Sequence, residues 1–331
     1  MDPKKEYIFI VFMILIHNQT NKKEYSPMNG KKTKVLVLEG GGVFGAGIAR
    51  FLSFVDYKDI RKIDCISGTS IGAILTLSYA SGKSFQDVAD EFEARVKECF
   101  KKRLVAKVWP LACPTYDSEA LYTVIHDIIG DKTFGDIRKI FPNLTVFTNA
   151  MNVTKDKYKV FDNITGQDDD IKLADAAAYS SAAPSYFAGR DYKGDCMVDG
   201  GLEDNCSVLT ATTGLHGKLK IPYSDMDVLA IGTGTEVDKH PSTLERYNGY
   251  TLLKLCTELI VPYVTESNEA FTRYVVNQLG LNSFVYYNPI LRGTEMDDVT
   301  EVPKIKEQCD QYKDDFKTVW NYWLNDEEKD A

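Results

Sequence analysis

A short motif with a serine between two glycines constrains this chain more than any other feature. Residues Gly68-Thr69-Ser70-Ile71-Gly72 fit the pattern Gly-x-Ser-x-Gly. Residues 63–67 end in a short apolar run that predicts a buried strand, and residues 73–80 predict a buried helix. Ser70 is therefore expected on a tight strand-to-helix turn, where a strained backbone projects the hydroxyl and the flanking glycines let the chains pass. The alternative is an ordinary helix N-cap serine followed by close packing.

A second glycine cluster lies between a predicted strand at residues 34–38 and a predicted helix at residues 46–52. A loop of this kind exposes backbone N–H groups to an anion. That anion can be the oxyanion of an acyl-transfer intermediate, or the pyrophosphate of a dinucleotide, because residues 40–45 also fit Gly-x-Gly-x-x-Gly. The dinucleotide fingerprint expects an acidic residue about 20 positions on, where Asp59 and Asp64 occur. Asp64 lies in the run that leads to Ser70, which favours a nucleophile site; a dinucleotide-binding oxidoreductase remains the alternative.

Five stretches of the sequence, in the same order as in the family, resemble the patatin-like phospholipases. Together they span roughly residues 33–235, and as a set they are far more specific than any one of them. The stretches are residues 40–45, 68–72, 176–187, 199–201 and 228–234.

The resemblance implies a three-layer α/β/α sandwich with a mostly parallel central sheet. It also implies a lipid acyl hydrolase that cleaves fatty-acyl esters of phospholipids or related glycerolipids through a covalent acyl-serine. In this comparison Ser70 is the nucleophile and Asp199 is its base. The other implied site residues are the oxyanion-hole loop Gly40, Gly41, Gly42, Val43 and Gly45, the nucleophile elbow Gly68 and Gly72, and the acid turn Gly200 and Gly201.

We expect no cofactor, and no metal is implied because the acidic residues lack spaced calcium ligands such as those of an EF-hand loop. The partner implied by the resemblance is a lipid substrate at a membrane surface or micelle. A catalytically silent lipid-binding or regulatory protein of the same fold is the alternative.

The sequence departs from the family pattern at two points. Many members have a basic residue where this chain has Val43, and Arg50 in the following helix is a candidate to supply the charge. Many members also continue from the aspartate turn to Asn-Pro, whereas Asn205 is followed here by Cys206. Neither change touches Ser70 or Asp199, but both concern contacts to the lipid head group.

None of the four histidines, His17, His126, His216 and His240, lies in a glycine turn or at a strand end with a clear site-like context. A serine hydroxyl needs a base, usually a histidine oriented by a carboxylate. A carboxylate within about 3 Å of the hydroxyl can serve directly. We therefore expect a dyad of serine and aspartate, with a histidine triad as the alternative.

Charge and cysteine content narrow the class of protein. The net charge of −9 argues against a partner that is a nucleic acid. The seven cysteines are scattered and form no Cys-x-x-Cys pair, so a zinc site is disfavoured and a reducing compartment is the simpler interpretation. We expect a cytoplasmic protein with peripheral membrane contact; a secretory or membrane-anchored protein that uses the apolar run at residues 7–16 is the alternative.

The sequence predicts an N-terminal extension at residues 1–32 and one domain at residues 33–325, in which a helical remainder, residues 236–325, follows the signature blocks. Residues 84–107 predict one amphipathic helix with a basic end, interpreted either as a solvated helix terminus or as a membrane-docking patch. Further predicted helices are residues 118–130, 173–181, 252–263, 270–279 and 316–324, and further predicted strands are residues 144–150, 158–162, 195–199, 227–231 and 284–287.

Overall fold

The computed structural model of this protein describes residues 32–103, 113–234, 261–291 and 297–325. Within these ranges, strands alternate with helices along most of the chain. The strands are β1 Thr33–Leu38, β2 Cys65–Gly68, β3 Thr145–Asn152, β4 Lys157–Asp162, β5 Arg190–Tyr192, β6 Asp195–Asp199, β7 Met226–Ile231 and β8 Ser283–Tyr287. The α-helices are α1 Gly45–Ser53, α2 Ile71–Ala80, α3 Phe85–Cys99, α4 Ser118–Ile129, α5 Phe134–Ile140, α6 Leu173–Ser180, α7 Val208–Gly214, α8 Val261–Gln278, α9 Val302–Gln311 and α10 Lys313–Leu324.

One sheet runs through the molecule in the order β5-β6-β3-β2-β1-β7-β8, with β4 paired to β3. The central pairs β1 with β2, β1 with β7, β2 with β3, and β7 with β8 are parallel. The pairs β3 with β4, β3 with β6, and β5 with β6 are antiparallel. The strand–helix order along the chain predicts this parallel centre, because such connections return each strand in the same direction.

The two faces of the sheet carry separate hydrophobic clusters. Leu36, Ile66 and Leu229 belong to the larger cluster, together with residues of α1 to α6, α9 and α10. Their neighbours on the opposite face, such as Val35 and Val228, belong to a smaller cluster with residues of α7 and α8. Alternate residues of each strand thus enter opposite cores, as the pleat requires. The expected three-layer α/β/α sandwich is confirmed.

The predicted helix at residues 84–107 is wrong at residues 100–103, because α3 ends at Cys99. The backbone of residues 101–103 instead pairs with a segment before α4: Arg103 N–H donates to the Thr115 carbonyl, and Asp117 N–H donates to the Lys101 carbonyl. Hydrogen bonds to a distant segment have replaced the helical ones. The rest of the predicted basic patch, from residue 104, lies outside the described residues.

Most other predicted elements agree with the structure to within a few residues, and β8 is the predicted strand at residues 284–287. The start of the helix predicted at residues 270–279 is wrong, because α8 runs without a break from Val261 to Gln278. The extension at residues 1–32, apart from Lys32, and the predicted helix at 252–263, apart from the start of α8, fall outside the described ranges. Among the residues that can be described, no helix is both long and apolar enough to cross a membrane.

Candidate functional site

Ser70 occupies the turn between β2 and α2 in a strained backbone conformation, with φ 54° and ψ −122°. A residue with a side chain rarely adopts this region, and such strain is typical of nucleophile elbows. The Ser70 N–H donates to Ser180 Oγ in α6 at 2.9 Å. The Ser70 carbonyl accepts from the N–H groups of Ala73 and Ile74 at the start of α2. The turn is therefore held from both sides while the hydroxyl stays available.

The two glycines of the motif permit close approach of backbone to backbone. A Cβ on Gly68 would overlap the Gly72 carbonyl, and a Cβ on Gly72 would overlap the Leu38 carbonyl. The elbow is thus pressed against the end of β1, which brings Ser70 next to the glycine loop that follows this strand.

Asp199 reaches Ser70 from a strand that runs in the opposite direction to β2. Thr148 is the last residue of β3 that pairs with β2, and β3 continues beyond it. β6 pairs antiparallel with this extension, which places Asp199 opposite Ala150. The Ser70 hydroxyl donates to Asp199 Oδ2 at 2.6 Å. The Gly201 N–H donates to Asp199 Oδ1 at 2.7 Å, so the structure brings the two predicted residues and the acid turn together.

The Asp199 carboxyl is buried, with 6% of its surface exposed. Burial raises its pKa to about 6, while the hydrogen bonds from Ser70 and Gly201 pull the pKa down. A carboxylate with such a pKa is mostly ionised at neutral pH and more basic than an exposed aspartate, which suits it to accept a proton.

The glycine loop follows β1 and packs against the elbow. Gly42 has φ 58°, in the left-handed region where glycine is strongly preferred. A Cβ on Gly40 would meet the Cβ of Ser70 at 3.1 Å. The Gly40 N–H already donates to the Asn205 carbonyl, and the Gly45 N–H donates to carbonyls within the loop. This narrows the predicted oxyanion donors to Gly41, Gly42 and Val43.

Arg50 does not supply charge to this loop, contrary to the role considered from the sequence. Its guanidinium pairs with Asp310 of α9 at 2.7 Å and lies over the Phe54 ring. Val43 is fully buried. The basic residue that many family members carry here thus has no counterpart among these two positions.

Neither described histidine has Ser70 or Asp199 among its polar contacts. His126 contacts Asp131, and His216 contacts the Ile221 carbonyl and stacks on Tyr223. His216 lies in a helical turn, residues Leu215–Leu219. His17 and His240 fall outside the described ranges.

The acidic residues of the dinucleotide alternative lie at the wrong edge of the sheet. Asp64 immediately precedes β2, where its carboxylate accepts from the Lys34 N–H. Asp59 pairs with Lys62 and accepts from Trp320. Because β1 and β2 are parallel, the start of β2 is opposite to the glycine loop at the end of β1. A ribose would need its carboxylate at the loop's edge.

A buried polar cluster next to the elbow was not predicted from the sequence. The Thr69 hydroxyl lies 2.9 Å from Asn149 Oδ1 and 2.8 Å from the Asp204 carbonyl oxygen. Asn149 Nδ2 donates to that same carbonyl at 2.9 Å and to the Tyr158 hydroxyl. Thr210 donates to Asp204 Oδ2 through both its N–H and its hydroxyl. The available signal was Asn149 itself, an amide side chain in the middle of a predicted buried strand.

No group of three or more histidine, cysteine, aspartate or glutamate side chains suited to a metal ion occurs among the residues that the structure describes. The groups that could carry out chemistry here are a serine hydroxyl, a buried carboxylate and a glycine loop, which lie together at one edge of the sheet.

Comparison with known proteins gives consistent matches. The family model described as patatin-like phospholipase matches residues 36–212. A cGAMP-activated phospholipase of Escherichia coli is 28% identical over 84% of this chain and 85% of its own length. One of the same name from Vibrio cholerae is 30% identical over 70% of this chain and 72% of its own length. The solved structure of VipD from Legionella pneumophila aligns with a TM-score of 0.41 and 12% identity, over 91% of this chain and 73% of that chain.

Proposed function

The chain belongs to the patatin-like phospholipase family, and we propose that it hydrolyses fatty-acyl esters of phospholipids or related glycerolipids with Ser70 as nucleophile and Asp199 as base. Family membership supports a lipid-hydrolysing enzyme. The observation that carries the finer proposal is the hydrogen bond from Ser70 Oγ to Asp199 Oδ2 at 2.6 Å.

In the proposed acylation step, Asp199 takes the hydroxyl proton while Ser70 Oγ attacks the ester carbonyl carbon. The carbonyl oxygen becomes an oxyanion, which N–H groups of Gly41, Gly42 and Val43 would stabilise. The C–O bond to the glycerol then breaks, and the leaving alkoxide takes the proton from Asp199. This yields an acyl-serine and a free lysolipid or alcohol.

Deacylation repeats these steps with water. Asp199 removes a proton from the water as the water oxygen attacks the acyl carbon, and the proton then returns to Ser70 Oγ as the acyl–oxygen bond breaks. The products are a fatty acid and the free enzyme. Every proton passes between Asp199 and a reacting oxygen, so the mechanism requires no histidine.

The test combines covalent labelling with turnover. A fluorophosphonate probe should modify Ser70, identified by peptide mapping, and the purified protein should release fatty acid from phospholipid vesicles. Ser70→Ala should remove both signals, with a loss of turnover of up to about six orders of magnitude. Ser53→Ala, a half-buried serine at the end of α1, is the matched control and should retain both. Labelling at another serine, or wild-type turnover by folded Ser70→Ala, would contradict the proposal.

The same assay separates the catalytically silent alternative. A silent lipid-binding protein would sediment with phospholipid vesicles yet show neither probe labelling nor fatty-acid release. A dinucleotide-binding oxidoreductase would instead show cofactor absorbance in the purified protein.

The names of the two bacterial relatives suggest a way in which the activity of this enzyme is regulated. Because both are called cGAMP-activated phospholipases, we propose that turnover of this enzyme also rises when cGAMP is added. Fatty-acid release measured with and without cGAMP tests this; equal rates would restrict that regulation to the relatives.

A further inference from the structure

A cavity of about 670 Å³ opens on the thinner face of the sheet, between β3, β4, α7 and α8. Its lining includes neither Ser70 nor Asp199. The volume falls within the range of sites for small organic ligands, roughly 300–1,000 Å³. The cavity is therefore distinct from the candidate active site and large enough to be occupied.

The polar lining of this cavity includes two adjacent carboxylates, Glu203 and Asp204, and one lysine, Lys218, which is paired with Asp162. Glu203 is exposed, whereas Asp204 has 6% of its surface exposed. Both Thr210 donors bind Asp204 Oδ2. Asp204 Oδ1 is buried and has no hydrogen-bond partner within the described part of the chain. An orphaned buried carboxylate oxygen is costly, and a ligand that brings a donor or a positive charge would satisfy it.

The apolar lining is partly aromatic and suits a cation. Tyr158 and Phe271 present 36% and 62% of their surfaces to solvent, and Phe147 lies at the base. The Lys218 Nζ of the lining lies 6.0 Å from the centre of the Phe147 ring while it pairs with Asp162. Aromatic faces attract ammonium groups, and carboxylates add charge attraction.

The position of Asp204 connects the cavity with the candidate active site. The next residue, Asn205, binds both backbone polar groups of Gly40: the Gly40 N–H donates to the Asn205 carbonyl at 3.1 Å, and Asn205 Nδ2 donates to the Gly40 carbonyl at 3.2 Å. A group bound at Asp204 is thus one residue away from the contact that positions the loop beside Ser70.

We propose that this cavity is a second binding site, which takes an organic cation: an amine or quaternary ammonium group carried on an apolar body. Such a group can come from the head group of a phospholipid or from a free soluble amine. The existence of this binding site does not depend on the proposed function. Only the possibility that the cation comes from a phospholipid head group rests on that function.

Binding is measured by calorimetry on the full-length protein in an amine-free phosphate buffer. The probes are choline and 3,3-dimethylbutanol, which has the same shape without the charge. We expect saturable choline binding at least tenfold tighter than that of the neutral analogue. Equal affinities, or no saturable choline binding, would overturn the proposal.

Variants locate the bound cation. Glu203→Gln and Phe271→Ala change exposed side chains, so they should fold normally, and each should weaken choline binding severalfold or more. Glu307→Gln, an exposed glutamate in α9, is the matched control and should bind as the wild type. Asp204→Asn should weaken binding most; if circular dichroism shows it unfolded, the two exposed variants decide. If Glu203→Gln and Phe271→Ala both bind choline with wild-type affinity, the proposed site is wrong.

The source of the cation is read from turnover. If the phospholipid head group is bound, Glu203→Gln should lower kcat/KM on phosphatidylcholine vesicles but not on phosphatidylglycerol vesicles. If a free amine is bound instead, Glu203→Gln should leave kcat/KM unchanged on both kinds of vesicle. Added choline should then alter the hydrolysis of a neutral short-chain ester. A protein without any turnover would refute the proposed function, while the calorimetry would still decide the site.

Discussion

The Tyr286 hydroxyl lies 2.9 Å from both carboxylate oxygens of Glu39, the residue immediately before the glycine loop. Glu39 is buried, and its Oε2 also accepts from the Thr233 N–H after β7. One carboxylate therefore joins the ends of three neighbouring parallel strands, β1, β7 and β8. The loop beside Ser70 is anchored by this contact.

Tyr286→Phe should lower the free energy of unfolding by about 1.5–3 kcal/mol, because a buried carboxylate loses a donor. The aromatic ring and its contact with Arg273 remain. Tyr274→Phe, on a side chain that is 65% exposed, is the control and should be close to neutral. Urea unfolding of both variants measures the difference; equal stabilities would show that the Glu39 contact contributes little.

Gly42→Ala should impair catalysis more than stability. The left-handed backbone at φ 58° costs an alanine about 1–2 kcal/mol, and displacement of an oxyanion donor lowers kcat by roughly two to three orders of magnitude. The matched control is Gly130→Ala at the end of α4, with φ 80° and open space around it. Its ψ of −162° also disfavours any side chain, so this variant should lose stability in urea with unchanged kcat. If Gly42→Ala keeps wild-type kcat, the loop is not the oxyanion hole.

Gly72→Ala should prevent a stable fold, because the new Cβ would overlap the backbone carbonyl of Leu38, which cannot rotate away. Insertion of one methyl group into a packed core costs about 1–3 kcal/mol, and more against rigid backbone. Gly47→Ala in α1 is the comparison: its Cβ meets the end of Leu291 at 3.0 Å, a flexible side chain, and alanine favours the helix. Thermal unfolding should separate the two variants clearly, and similar melting temperatures would refute the close-packing argument.

The local parts of the site could be predicted from the sequence, because each depends only on neighbouring residues. These parts are the close spacing of Gly68, Ser70 and Gly72 and the strand that leads into the loop at Gly40. The direction of β6 does not follow. Asp199 is delivered by an antiparallel strand that pairs with the far end of β3, and the pairing of strands distant in sequence leaves no local signal.

Contacts between side chains that are distant in the sequence could not be predicted either. Arg50 was considered for the glycine loop on sequence proximity, but it pairs with Asp310, a residue 260 positions away. The early end of α3 at Cys99 has the same origin, because the segment after it bonds to residues near Thr115. Helical periodicity continued past that point, yet tertiary hydrogen bonds determined the boundary.

The buried state of Asp199 gives opposite pH trends for activity and stability. Burial raises its folded pKa from 3.8 to about 6. Turnover needs the ionised base, so kcat/KM should rise with pH through about 6 and then level off. The folded protein binds the proton more tightly than the unfolded chain, so this residue's contribution to stability falls as pH rises from about 4 to about 6. Asp204 has a pKa raised in the same direction and adds to the same trend.

Asp199→Asn should remove part of that stability trend. Unfolding free energies of wild type and variant, measured from pH 4 to pH 7.5, should differ most at the upper end, where the wild type holds a buried charge and the variant does not. A difference that is constant with pH would show that Asp199 is not buried as an acid with a raised pKa.

The pH profile of activity does not by itself identify the base, because a histidine titrates near about 6.5 and would give a similar limb. The variants do identify it. Asp199→Asn keeps the size of the side chain and can still accept the Ser70 hydrogen bond, but it cannot take the proton. Phosphonylation of Ser70 by a fluorophosphonate should therefore fall by several orders of magnitude in a folded protein that still binds lipid. His126→Asn and His216→Asn should react with the probe at nearly the wild-type rate, since both rings contact groups other than Ser70 and Asp199; His240→Asn completes the set. A severe loss at any histidine together with a mild loss at Asp199 would replace the dyad with a triad.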